Sequence, residues 1–116
     1  MAISYAYNSG GTISTTETSI LSGAAYDTGT NSAVDGVYMI FLDLNDMTTG
    51  DELQVRVYEK VRAADTQRIV YQANLFGLQS PPIYVIPSLI LMHAWDVTLD
   101  AIAGTIDVVW SVVKVA

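Results

Sequence analysis

The stretch that decides the fold is VYMIFLDLNDMTTGDELQVRVYEKVRAADTQRIVYQAN, residues 37–74. It holds three runs suited to strands, 37–44, 53–61 and 66–74, separated by two short polar turns. In the second run Leu53, Val55 and Val57 alternate with Gln54, Arg56 and Tyr58, the period of two that belongs to a pleated strand. The pattern predicts a meander. Leu44 would pair with Leu53, Leu42 with Val55 and Ile40 with Val57; the next turn would set Val61 against Thr66, Val57 against Val70 and Glu59 against Arg68. A facing Glu–Arg pair adds roughly 0.2–1 kcal/mol, so charge and hydrophobic pattern support one register.

Working outward, residues 8–36 are rich in Ser, Thr, Gly, Ala and Asn, which favours turns over packing. Within them 12–21 reads as a strand, and residues 1–7 as a candidate N-terminal arm. After the meander, 79–86 is a strand beside Pro81, Pro82 and Pro87, which mark an edge or a crossover. The last segments, 89–100 and 105–115, read as a long hairpin around Ala101-Ile102-Ala103-Gly104. Pairing Asp100 with Thr105 would put Trp95, Val97 and Leu99 on the core face with Ile106, Val108 and Trp110. Asp96, Thr98, Asp100 and Asp107 would face water. No window supports a helix, because Pro, Gly and β-branched residues interrupt each one. The expected fold is all-β: residues 1–116 as a single antiparallel β-sandwich of jelly-roll or Greek-key type.

Composition narrows the function. The chain has 116 residues, 5 Lys plus Arg against 12 Asp plus Glu, and no cysteine. A formal charge of -7 repels phosphate backbones and anionic headgroups, so neither nucleic acid nor a membrane is expected as partner. Residues 1–5 lack the basic start and apolar run of a secretory leader, and 83–95 is too short to span a bilayer. The absence of Cys excludes thiol nucleophiles and zinc–thiolate sites.

His93 is the sole histidine. With Ser88 or Ser111 and Asp96 it could be drawn as a triad, but no nucleophile elbow accompanies it, and it reads as a packed, hydrogen-bonded residue. Asp43, Asn45, Asp46, Asp51 and Glu52 crowd one turn without EF-hand spacing and read as turn formers. Arg56, Lys60, Arg62 and Arg68 share the second hairpin and read as a solvated or interface face. Tyr5, Tyr7, Tyr26, Tyr58, Tyr71 and Tyr84 either line a sugar-binding groove or simply suit strands and interfaces. No catalytic, metal or cofactor-binding residues are assigned, and no cofactor is expected.

One anomaly stands out. Segment 37–42 is apolar on both faces, and in the final hairpin Ile90 and Met92 would fall opposite Val115 and Val113 on a face that is polar near the turn. Either the chain covers this patch itself, or a subunit or partner does. The candidate interface comprises Met39, Phe41, Ile90, Met92, Val113 and Val115. An arm bearing Ile3, Tyr5 and Tyr7 would reach a neighbouring subunit.

Gly36-Val37-Tyr38, Leu42-Asp43-Leu44, Met47, Gly50-Asp51, Arg56-Val57-Tyr58-Glu59-Lys60-Val61, the run from Pro87 to Leu99 (PSLILMHAWDVTL), Ala103-Gly104-Thr105 and Trp110-Ser111-Val112 resemble small virion structural proteins of tailed bacteriophages. Within that group the likeness is to jelly-roll capsid decoration, or cement, proteins, and it covers residues 36–116. It implies a non-enzymatic protein made in the host bacterial cytoplasm and carried on the capsid surface. There it would coat and stabilise the head, commonly as a homo-trimer on the major capsid protein. The alternatives are a carbohydrate- or receptor-binding sandwich module, or another head or tail component.

Overall fold

The computed structural model describes residues 3–27 and 34–116. Every regular element among them is a strand: β1 (Ser4–Ile13), β2 (Thr18–Ser19), β3 (Gly36–Asp43), β4 (Glu52–Glu59), β5 (Arg68–Phe76), β6 (Ile83–Leu91), β7 (Asp96–Ala103) and β8 (Ile106–Lys114). They form two antiparallel four-stranded sheets, sheet A in the order β1-β8-β3-β6 and sheet B in the order β2-β7-β4-β5. The expected all-β sandwich is what the chain forms.

The alternation read from the sequence selects the buried side chains. Sheet A contributes Tyr38, Ile40 and Leu42 from β3, Ile106, Val108, Trp110 and Val112 from β8, and Ile86 and Leu91 from β6. Sheet B contributes Leu53, Val55, Val57, Val97, Leu99 and Ala101. Each large apolar side chain fully buried here is worth about 1.5–3 kcal/mol. Trp95 is fully buried, and its indole N–H donates to the Val34 carbonyl at 3.0 Å.

The strand partners differ from the expected ones. β3 and β4 lie in opposite sheets, so Leu42 and Val55, and Ile40 and Val57, share a core without pairing. The reason is in their connection: Leu44 and Met47 are buried, so the chain between β3 and β4 arches across the core edge instead of reversing within a sheet. β7 and β8 are likewise split between the sheets, and Asp100 pairs with Gln54 rather than Thr105. Gly104 makes that crossing at φ +84, where an added Cβ would collide with the Asp51 carboxylate. β6 pairs with β3, with Ile90 against Val37, so Ile90 and Met92 do not face Val115 and Val113. Period-two alternation fixes which side chains are buried, but neighbours beside a strand and neighbours across the core satisfy it equally.

The β4–β5 hairpin keeps its expected Glu59–Arg68 pair, while a bulge at Val57/Tyr58 sets Val57 against Tyr71 in place of Val70. Residues 12–21 do not make one strand: β1 ends at Ile13 in sheet A and β2 starts at Thr18 in sheet B. The proposed arm, residues 1–7, is paired to β8 from Ser4 onward, while Met1 and Ala2 lie outside the described residues. Pro87 sits in the edge strand β6, at the irregularity between Tyr38 and Ile40 where a missing N–H is tolerated.

Candidate interaction surface

The two outer faces of the sandwich are built differently. On sheet B the outward residues of β4 and β7 are polar: Gln54, Arg56 and Tyr58 beside Asp100, Thr98 and Asp96. The segment around β2 packs onto them. Glu17 reaches over the face, where Oε2 accepts from the Tyr58 hydroxyl at 2.6 Å and the Thr98 hydroxyl at 2.6 Å. Its Oε1 lies 3.6 Å from the Arg56 guanidinium. Tyr26 stacks on Tyr58 with ring centroids 4.3 Å apart and donates to Gln67 at 2.6 Å. Gln67 in turn donates to the Ala94 carbonyl. The Ser19 hydroxyl donates to Asp96 at 2.6 Å, both residues being buried. Asp96 and Thr98, expected to be wet, are therefore covered, and their polar atoms are satisfied from within the chain. Burial and then the Glu17 hydrogen bond push the Tyr58 phenol up to about 12. Burial raises the Asp100 carboxyl too, with Glu17 adding and Arg56 opposing.

On sheet A the outward residues are mostly apolar, with Asn8, Thr12, Asp43, Asp107 and Ser111 as polar exceptions. Tyr5 (β1), Val113 (β8) and Met39 (β3) lie in one cross-strand row; Ser111, Phe41 and Val85 form the next; Val109, Asp43 and Ile83 form the third. Val37 and Ile90 add a pair at the far end. Tyr5 is 72% exposed, Ile90 66%, Val109 61% and Ile83 45%. Among the described residues the only charges on this face are Asp43 and Asp107 at one end. No described segment lies over it as the β2 segment lies over sheet B.

The expected interface residues divide accordingly. Tyr5, Met39, Phe41, Ile90 and Val113 come together on the sheet A face, Val113 itself being only 7% exposed between its neighbours. Ile3 is exposed just before β1. Tyr7 points the other way and meets the Trp95 ring edge-on at 6.2 Å. Met92 lies in the β6–β7 turn, where its N–H donates to Glu59 at 2.9 Å. Val115 follows β8 and donates its N–H to the Val37 carbonyl at 2.8 Å. Sequence reasoning missed Val37, Ile83, Val85 and Val109. The signal was available for β6, since Ile83-Tyr84-Val85-Ile86 is apolar on both faces, as its partner β3 is.

The other candidates resolve into local roles. His93 and Ala94 both hold φ of 60 in the β6–β7 turn, and the His93 N–H donates to Asp35 at 2.9 Å. Histidine is thus in a left-handed turn and not on a strand. Ser111 donates to Asn8, and Asp96 is engaged with Ser19, so the residues of the conceivable triad face different partners. In the acidic turn Asp43 caps Asn45, Asp51 caps Thr48, and Asp46 accepts the Asp107 N–H at 2.8 Å. No group of three or more His, Asp or Glu among the described residues is arranged to hold a metal ion. The tyrosines do not form a groove: Tyr71 and Tyr84 share a 2.6 Å hydrogen bond between β5 and β6, away from the Tyr26–Tyr58 stack and from Tyr5. Of the basic residues, Arg56 pairs with Glu17 and Arg62 with Asp65. Compared with family models, curated proteins and solved structures, the chain finds no match.

Proposed function

We propose that this chain is a non-enzymatic virion structural protein of a tailed bacteriophage, a decoration protein that binds the outside of the head and stabilises it. The observation that carries this reading is the outer face of sheet A, an open apolar surface on an otherwise acidic molecule. Contiguous exposed apolar patches of this kind mark interaction sites. Strand order supports it: β1-β8-β3-β6 facing β2-β7-β4-β5 is compatible with a jelly roll, an architecture of viral capsid and lectin domains. The sequence resemblance over residues 36–116 points the same way.

In this reading the partner is the major capsid protein, and Phe41, Ile83, Val85, Ile90 and Val109 form the contact. Burial of that apolar area drives attachment. The acidic remainder keeps the coated head soluble. The test is to locate the chain in purified particles by mass spectrometry and to measure binding to undecorated heads. Wild type should bind saturably, and Val85→Asp should bind at least about tenfold more weakly, since an aspartate buried there lacks a partner. Absence of the chain from particles, or undiminished binding by Val85→Asp, would sink the proposal.

A further inference from the structure

We infer that the hollow at the acidic end of the sheet A face receives an arginine side chain from the protein that covers that face. This rests on the reading of sheet A as the contact surface, and it names the chemistry the partner must bring.

Asp43 lies between Val109 and Ile83 in the third cross-strand row of the outer face. Asp107 stands two positions before Val109 on β8 and shares its outward side. With Asn45 and Asp46 from the β3–β4 connection they line a hollow of about 250 Å³, and Val109 is its apolar wall. The apolar face and the acidic hollow therefore meet at one exposed valine.

The three carboxylates have no cation beside them. Among the described residues the ion pairs are Arg56–Glu17 and Arg62–Asp65, and neither involves the hollow. Each carboxylate accepts one hydrogen bond from a neutral donor: Asp43 from the Asn45 N–H at 3.1 Å, Asp46 from the Asp107 N–H at 2.8 Å, and Asp107 from the Thr12 hydroxyl at 2.6 Å. These bonds hold one oxygen of each in place and leave the second without a described donor.

Charge complementarity selects the occupant. An anionic ligand is repelled, and a second copy of the chain brings the same formal charge of -7. A metal ion is a poor fit, because no group of three acidic or histidine residues among the described ones is arranged to hold one. A guanidinium is planar and carries five donors in a fork, so it can reach acceptors set apart around a hollow. Arginine is also enriched where proteins meet. Once Val109 and Ile83 are covered, water leaves the rim of the hollow and the charge pairs strengthen.

The double variant Asp43→Asn, Asp107→Asn keeps both acceptor oxygens and removes two charges. On undecorated heads it should bind about tenfold more weakly than wild type at low salt. The difference should narrow in about 0.5 M salt. Undiminished binding at low salt would overturn the inference. The hollow can also be probed without heads. N-acetyl-arginine amide titrated into the free protein should shift the backbone amide resonances of residues 43–46 and 107–109 saturably, and the double variant should lose those shifts. If wild type fails to bind heads while the arginine derivative still shifts these resonances, the head reading falls and the arginine site stands. Equal shifts with N-acetyl-lysine amide, tighter occupancy by calcium, or no shift at these amides would count against an arginine site and end the proposal.

Discussion

The outer faces of the two sheets treat solvent in opposite ways. Sheet B has a polar outer face that the chain covers, and sheet A has a largely apolar outer face that the described residues leave open. The usual expectation for a sandwich is polar residues out and wet on both sides. On sheet B, covering the face required a partner for each polar group it took from water, and Glu17 supplies most of them. On sheet A the described residues show only two local side-chain pairs, Ser111–Asn8 and Thr12–Asp107, and the exposed apolar side chains gain by being covered later. One face is therefore organised for the stability of the monomer and the other for contact between molecules. Substitutions on the two faces should separate those properties.

The largest effect is expected on sheet B. Glu17→Ala leaves the Tyr58 and Thr98 hydroxyls and the Arg56 guanidinium without their common acceptor. Unsatisfied buried polar groups cost about 1–3 kcal/mol each, and because the site is only partly buried the loss should total about 3 kcal/mol in urea denaturation. Glu17→Gln keeps an acceptor oxygen and loses the ion pair, which at this exposure costs below about 1 kcal/mol. Equal losses in the two variants would show that hydrogen bonding is not what holds the covering segment.

On sheet A the expected pattern is reversed. Val85→Ser combined with Val109→Ser should change the unfolding free energy by no more than about 0.5 kcal/mol, because both side chains are exposed in the folded chain. Binding of a hydrophobic dye should fall markedly. A destabilisation above about 2 kcal/mol would mean that the chain itself covers this face, and the contrast between the sheets would collapse.

Much of this contrast could be read from the sequence, and the limits have physical causes. The doubly apolar β3 was visible in Val37–Leu42, and it does present Met39 and Phe41 outward. The partner strand was not visible. A core residue such as Leu42 alternates identically whether Val55 lies beside it or across the core, so two crossovers were read as hairpins. The covered face of sheet B was also out of reach. Asp96 and Thr98 look like surface residues until Ser19 and Glu17, about 80 positions away in sequence, arrive to bond them. Glu17 itself carried no signal, standing among threonines in a turn-rich segment. The Glu59–Arg68 register was readable because it is local, joining strands that are consecutive in sequence and adjacent in sheet B.

The smallest effect tests whether the covered face is fully relaxed. Asp100 stands opposite Gln54 at the border of the Glu17 network, and burial, with Glu17 nearby, raises its carboxyl above the ordinary range. A raised acid binds its proton more tightly in the folded state than in the unfolded chain. Ionised Asp100 therefore costs stability at neutral pH, and the cost is relieved as pH falls through the folded value toward the unfolded one. Arg56 offsets part of it, so the net penalty is small. Asp100→Asn should stabilise the protein at neutral pH by about 0.5 kcal/mol or less. The gain over wild type should shrink as pH is lowered through the carboxylate range. Comparing the two proteins at each pH cancels the contributions of Glu59 and the other carboxylates. A gain that is constant with pH would assign the effect to packing, and a loss at neutral pH would place Asp100 inside the network that Glu17 organises.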